Sequence, residues 1–354
     1  MTNNTVFPVK LRETSKFDSV DFNNLSFGSI FTDHMFICHY DKGSWNNPEI
    51  VPYAPITLEP SARVFHYGQA IFEGMKAFKD ADANLWLFRP NDNHIRFNRS
   101  ATRLAMPEVP QEIFIEGLNQ LVRLEEKWVK HDHGASLYLR PFMIATEPAI
   151  SAAPSKSYKF MILASPARTY YQGDVRVLIA EKFSRSADGG VGYAKAAGNY
   201  AAQFYPTALA QKKGLQQVIW TDSNSHEYIE EAGTMNIFFR IGDTLLTAPT
   251  SDHILDGITR KSVIQLADSL GIPVEVRPIS VSEIKEAVKK NTLKEIFGSG
   301  TAAVINPICG FEHGGELFEL SAEEDSYASM LKNKLMAIQR NTVPDPFNWR
   351  HLVP

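Results

Sequence analysis

The sequence predicts an α+β fold in two domains, with helices layered on sheets rather than a doubly wound parallel sheet. Three observations predict it. Short strand-like runs and amphipathic helices are mixed without the regular strand–helix alternation of a parallel sheet. The chain has 354 residues, 44% of them hydrophobic and 21% charged, enough for two full cores. PARTYYQGD, residues 166–174, gathers Pro, Gly and polar residues and reads as a linker between 1–165 and 175–354.

In the first half, residues 26–40 (SFGSIFTDHMFICHY) read as a strand, a glycine bend and a second apolar strand. His34 is expected to be a strand residue rather than a ligand. Pro48 to Pro60 is loop-like. Residues 62–78 mix aromatic and small residues, with Tyr67, Phe72 and Glu73 among them. Asp80 to Asn84 is a turn, and LWLFRP (85–90) is a short strand ending in Arg89. Residues 111–130 form an amphipathic helix, because Phe114, Leu118, Leu121 and Trp128 share one face of a 3.6-residue period. His131 and His133 follow where a helix C-terminus favours positive charge. Without a cysteine or a third histidine they do not make a metal site. SLYLRPFMI (136–144) and YKFMILAS (158–165) are strands. Tyr138 and Arg140, two apart, point to one face of the sheet.

In the second half, VRVLIAE (175–181) opens a new run of strands, with Arg185 shortly after. Residues 200–213 predict a helix interrupted at Pro206 and stopped by Lys212, Lys213 and Gly214. QQVIW (216–220), NIFFR (236–240), TLLTAP (244–249) and VEVRPI (274–279) are strands. Residues 258–270 form a helix opened by Asp256-Gly257 and closed by Gly271. Ser280 and Glu283 make a capping box for a short helix whose apolar stripe is Ile284 and Val288. LKEIFGSGTAAVI (293–305) reads as strand, glycine turn and apolar segment. A last helix puts Leu331, Leu335 and Ile338 on one face.

Charge and cysteines exclude several functions. A net charge of −4 argues against a nucleic-acid partner. Cys38 and Cys309 stand in no metal or redox spacing, which fits a reducing compartment. The first residues carry no apolar leader pattern, and no apolar run is long enough to span a bilayer. A cytoplasmic protein with neither membrane nor metal is expected.

One lysine stands out. GGVGYAKAAGNY (189–200) sets Lys195 among small residues, which leave room for a planar ligand; the alternative is a solvated loop. Removed from water, its amine would lose charge and gain nucleophilicity. The stretch fails the Walker pattern, since Ala194 and Ala196 flank the lysine. Gly298-Ser299-Gly300-Thr301-Ala302-Ala303 matches GxGxxA, but Pro307 interrupts the helix a dinucleotide site needs, so hydride transfer is disfavoured. That turn and the helix start at Gly257-Ile258-Thr259 still offer N–H groups to an anion. EEAGTMNIFF (230–239) places Glu231 beside a small-residue turn, either as a surface acid or as a partner for a ring nitrogen.

GGVGYAKAAGNY, EEAGTMNIFF, LDGITRKS and FGSGTAA, in this order and spacing, resemble the branched-chain amino acid aminotransferases. FGSIFTDHM, FHYGQAIFEGMKAF, LFRP and SLYLRP extend the likeness over nearly the whole chain. The resemblance implies a pyridoxal-phosphate enzyme of fold type IV, with a small N-terminal and a larger C-terminal domain, assembled as a homodimer or higher homo-oligomer. It implies that Lys195 is the Schiff-base lysine, that Glu231 pairs with the pyridine nitrogen and that Tyr200 bonds the ring's phenolic oxygen. Arg89, Arg185, Thr301 and the amides of Ile258 and Thr259 would hold the phosphate, with Thr234 near the ring. The amides of Thr301 and Ala302 and the Tyr138 hydroxyl would take the substrate carboxylate. Phe27, Tyr67, Phe72 and Tyr138 would line the side-chain pocket, some of it contributed across the dimer. Arg140 would meet the distal carboxylate of glutamate, unless it is a structural partner of an acid such as Glu73. The implied reaction moves amino groups between leucine, isoleucine or valine and 2-oxoglutarate by a ping-pong route. A D-amino acid aminotransferase or an aminodeoxychorismate lyase would share Lys195 and Glu231, but SLYLRP and FGSGTAA argue against both. A scaffold that has lost catalysis is disfavoured by the intact Lys195, Glu231 and Tyr200.

Overall fold

The computed structural model describes residues 6–132, 134–168, 174–321 and 324–354. The chain divides into two compact units. One comprises Met1–Tyr170, Ala194–Ala197 and Ala337–Pro354, the other Tyr171–Tyr193 and Gly198–Met336.

In the first unit the strands are β1 (His34–Asp41), β2 (Ser44–Pro52), β3 (Ala70–Phe72), β4 (Met75–Lys79), β5 (Leu85–Phe88), β6 (Ser136–Ala145) and β7 (Tyr158–Ala167). With the C-terminal strand Arg350–Leu352 they make an eight-stranded sheet in the order Arg350–Leu352, β5, β4, β6, β7, β1, β2, and β3 pairs with β6. Every pairing is antiparallel. The helices are α1 (Arg63–Tyr67), α2 (Pro90–Arg103) and α3 (Gln111–Leu124). The predicted stripe of α3 is its buried face, with Phe114, Leu118 and Leu121 fully covered. Phe114 stacks on Phe160 of β7 with centroids 5.7 Å apart, and Phe97 of α2 meets the same ring at 5.4 Å. Each such fully buried phenylalanine contributes on the order of 2 kcal/mol by leaving water.

The second unit holds β8 (Arg176–Ile179), β9 (Gln217–Thr221), β10 (Ile229–Ala232), β11 (Met235–Ile241), β12 (Thr244–Thr247), β13 (Val274–Val276), β14 (Leu293–Gly300), β15 (Val304–Ile308), β16 (Gly310–His313) and β17 (Glu316–Glu319). They form a ten-stranded sheet in the order β13, β12, β11, β10, β9, β8, β16, β17; β14 pairs with β11 and with β15. The pairs β8–β9, β8–β16 and β12–β13 are parallel, and the rest are antiparallel. The remaining helices are α4 (Ala197–Ala201), α5 (Phe204–Lys212), α6 (Ile258–Ser269), α7 (Val281–Lys289) and α8 (Tyr327–Gln339), which buries Leu331, Leu335 and Ile338 as expected.

Several elements differ from the sequence reading. Residues 25–33 form turns and bends, not a strand, and Gly28 there has φ +71°. The stretch read as loop from Pro48 is in part β2, the edge of the named strands. Its outer side bonds Pro8 and Lys10 through Ile50, and Pro48 and Pro52 stand on either side, where no N–H is needed. Helix α3 stops at Leu124, and a single 3₁₀ turn (Glu126–Trp128) follows. His133 and most of the expected linker, 169–173, lie outside the described residues, and β7 runs two residues past Ser165. Pro206 does not interrupt a helix. It sits in the first turn of α5, where its missing N–H is not needed, and the break falls between α4 and α5. Half of the capping box forms: Ser280 accepts from the Glu283 amide at 3.0 Å, but the Glu283 carboxylate turns to Arg277. The split itself differs from 1–165 and 175–354. The last strand pairs with β5, and the peptide around Lys195 bonds to Phe72, so both segments belong to the first unit.

Candidate active site

Within the first unit the lysine is held at its backbone. The Lys195 amide donates to the Ser100 hydroxyl of α2 at 2.9 Å, and its carbonyl accepts from the Phe72 amide at 3.1 Å. Its ammonium nitrogen lies 4.4 Å from the Phe72 ring centroid. The pKa of Lys195 is lowered from 10.5 to about 8. Desolvation is the main cause, and the neighbouring Arg96 cation adds to it; Glu73 and Tyr138 oppose it. The residue keeps some exposed surface, but its amine lies deep enough for burial to dominate.

Of the expected substrate residues, the same unit brings together Phe27, Phe72, Tyr138 and Arg140. Arg140 donates to the Tyr138 hydroxyl at 3.0 Å, and its guanidinium sits 4.6 Å from the Phe72 centroid. Phe27 meets Tyr138 edge-on at 4.9 Å. The alternative role for Arg140, a structural pair with Glu73, is overturned. Glu73 is fully buried and takes a two-pronged bond from Arg96, at 2.7 and 2.9 Å. Among the described residues Arg140 has no carboxylate partner, and its buried Nε has no acceptor. Tyr67 is not drawn into this cluster; its hydroxyl donates to the Ile150 carbonyl and nearly half of its surface is exposed. Arg89 begins α2 in a left-handed conformation, with Nε on Asp92 at 2.9 Å and its guanidinium over Trp349.

Within the second unit, Glu231 on β10 is 3% exposed and pairs with Arg185, whose Nε lies 2.6 Å from its Oε1. Its other oxygen accepts from the Leu255 amide at 3.2 Å and faces Asn236 at 3.4 Å. Arg185, expected to hold the phosphate, is engaged with protein groups. Its guanidinium serves Glu231 and, through Nη1, the carbonyls of Gly192 and His253. Glycine at 192 is required for that packing: a Cβ would run into the carbonyls of Asp252 and His253. The small residues around Lys195 thus serve close packing at least as much as ligand access, since Ala194 and Ala196 are also buried.

The two ends expected to take an anion are built from backbone. Helix α6 starts at Gly257, which supplies no side-chain cap, and a Cβ there would strike the Asn236 side chain. The first-turn amides of Ile258 and Thr259 are therefore left for an outside acceptor. Thr301 and Ala302 lie in the tight turn between β14 and β15, where Gly300 pairs with Val304. Thr234 is exposed in the turn between β10 and β11, and Tyr200 is half-buried on α4. Among the described residues no cluster of acids, histidines or cysteines could hold a metal, and no helix is long and apolar enough to cross a membrane.

Residues 70–311 match the model of the family described as amino-transferase class IV. The chain belongs to that family. Branched-chain-amino-acid transaminase 1 of Bacillus subtilis is 45% identical over 335 residues, covering 93% of this chain and 94% of its own. Among solved structures, the branched-chain aminotransferase of Thermoproteus uzoniensis with norvaline superposes with a TM-score of 0.75 at 24% identity, over 91% of this chain and all of that one. The enzyme of Thermobaculum terrenum, solved in its PLP form, gives 0.73 at 20% identity over 90% of this chain and 98% of its own. The fold is therefore the two-domain α+β fold type IV of these aminotransferases.

Sequence reasoning missed Ser100, Arg96 and Asn236, and knew Glu73 only as a possible partner of Arg140. A charged residue inside the apolar run AIFEGMKAF was the one available signal for Glu73. Ser100 and Arg96 lie on a helix too polar to be recognised.

Proposed function

We propose that the protein moves amino groups between leucine, isoleucine or valine and 2-oxoglutarate, using pyridoxal 5′-phosphate. The observation that carries this reading is Lys195: an amine poised near pH 8 beside an apolar cluster and a guanidinium with no carboxylate of its own. The near-full-length likeness to an enzyme named for that activity supports it.

The residues fit the cofactor. The Glu231 carboxylate, paired with Arg185, is an acceptor suited to a ring N–H. The uncapped start of α6 and the turn at Thr301 offer amides to a phosphate or carboxylate, with Arg89 adding charge. When bound, pyridoxal phosphate supplies a ring that accepts the electron pair released at the substrate Cα. Lys195 Nζ takes the Cα proton and returns it, and an amine with a pKa near 8 suits both directions. Glu231 would keep the ring nitrogen protonated, and Arg185 would hold Glu231 in place. Tyr200 would serve the ring's phenolic oxygen, and Thr234 would help hold the ring. Tyr138 and the amides of Thr301 and Ala302 receive the substrate carboxylate. Phe27 and Phe72 face the side chain, and Tyr67 completes that pocket for a neighbouring copy in a cytoplasmic homodimer or higher oligomer.

The deciding assay is turnover of leucine with 2-oxoglutarate. The purified protein should be yellow and show parallel double-reciprocal lines, as a ping-pong reaction requires. A colourless protein without turnover would overturn the reading.

Leucine and glutamate must share one pocket, and an unpaired carboxylate in an apolar pocket is penalised by several kcal/mol, on the order of its desolvation. Arg140 is the cation placed to meet it. Its Nε and guanidinium stay bidentate-capable because no acid has claimed them. Arg140→Met should raise KM for glutamate and 2-oxoglutarate by ~10-fold or more and leave leucine much less affected. Equal losses for both substrates would assign Arg140 to packing.

A further inference from the structure

We infer that Ser100 is a positioning residue for Lys195: its hydroxyl fixes the lysine's backbone and so aims the amine. The inference rests on the reading of Lys195 as the cofactor-bonding amine. Serine forms helix less readily than alanine, because its hydroxyl competes for backbone bonds. Ser100 nevertheless lies in the last turn of α2 and is fully buried. Its hydroxyl donates to the Arg96 carbonyl one turn back at 3.0 Å. That commits the proton and leaves a lone pair to accept the Lys195 N–H at 2.9 Å.

The contact belongs to a longer chain of fixed groups. Arg96 is held at its other end by Glu73, through two bonds, and Glu73 holds the Gly74 amide at 3.1 Å. The Phe72 amide grips the Lys195 carbonyl, and Ile71 bridges to Ala196. Lys195 is thus clamped from β3 on its C-terminal side and from α2 on its N-terminal side. The Ser100 hydroxyl is the side-chain member of the clamp on α2. Without it the lysine peptide loses its side-chain anchor on α2, and the amine can leave the position where Arg96 and burial act on it.

The test uses the full chain with Ser100→Ala and with Ala101→Gly. The second weakens the same turn of α2 but keeps the hydroxyl. In protein stripped of cofactor, the rate at which trinitrobenzenesulfonate modifies Lys195 is followed against pH and located by peptide mass. In loaded enzyme, kcat and KM for leucine are measured. Ser100→Ala should move the midpoint of Lys195 modification upward, toward that of free lysine, and lower kcat ~10-fold with KM little changed, as expected when a reacting group is misplaced. Ala101→Gly should lower the melting temperature and leave the midpoint in place. An unmoved midpoint in Ser100→Ala, or an equal movement in Ala101→Gly, would overturn the inference. Borohydride labelling of wild-type holoenzyme separates it from the broader reading. A label on another lysine removes the catalytic role of Lys195, whereas the modification profile reports on the clamp alone.

Discussion

Lys195→Ala is expected to abolish turnover, with a fall of ~10⁴-fold or more, because it removes both the covalent anchor and the proton carrier. Borohydride treatment of the wild type should place the cofactor label on the peptide containing Lys195, and the variant should take none. The loss should not come from unfolding. Lys195 has a pKa of about 8 in the fold against 10.5 when free. The unfolded chain therefore binds the extra proton between those values, so the lysine destabilises the apoprotein fully below about pH 8. That penalty fades as pH rises toward 10.5. Removing the side chain relieves it at pH 7, which offsets the lost packing of the methylene stem. The apo variant should melt at or near the wild-type temperature at pH 7. A variant that melts far lower would leave the loss of turnover ambiguous, and a label on any other lysine would end the assignment.

What the sequence disclosed follows the physics of each signal. Helix α3 was legible because Phe114, Leu118 and Leu121 repeat on one face, and the same residues are buried. The strands β6, β7, β11 and β14 were legible as apolar runs bounded by turn residues. Helix α2 was not, because its buried face is Asn93, Arg96 and Ser100 as well as Phe97 and Ala101. A face made of polar groups that satisfy one another looks like a solvated segment. Strand β2 was hidden by prolines that only an edge position permits. Lys195 and Glu231 stand out in the sequence because each is a charged group beside small residues. The site was not legible where the choice of partner decides the role. Arg185 and Arg140 are both arginines near anion sites in the sequence reading; the folded chain gives Arg185 to Glu231 and leaves Arg140 without an acid. No spacing rule distinguishes those outcomes, because the partners come from strands far apart in the chain.

Glu231→Gln should lower turnover by ~10²-fold or more, several kcal/mol in barrier height, since a neutral amide cannot hold the proton on the ring nitrogen. The substitution has a second consequence. Glu231 and Arg185 are 3% and 8% exposed, and their contact is 2.6 Å. Breaking a buried pair from one side leaves an uncompensated charge, which destabilises by roughly 3 kcal/mol. Arg185 would retain only the carbonyls of Gly192 and His253. The two effects can be separated. Arg185→Leu in the Glu231→Gln background removes the stranded cation, so much of the lost stability should return on thermal or urea unfolding. Turnover should not return, because the ring nitrogen still lacks its carboxylate. Recovery of turnover together with stability would make Glu231 a structural partner of Arg185. Near-normal activity in Glu231→Gln alone would mean that a different group faces the nitrogen.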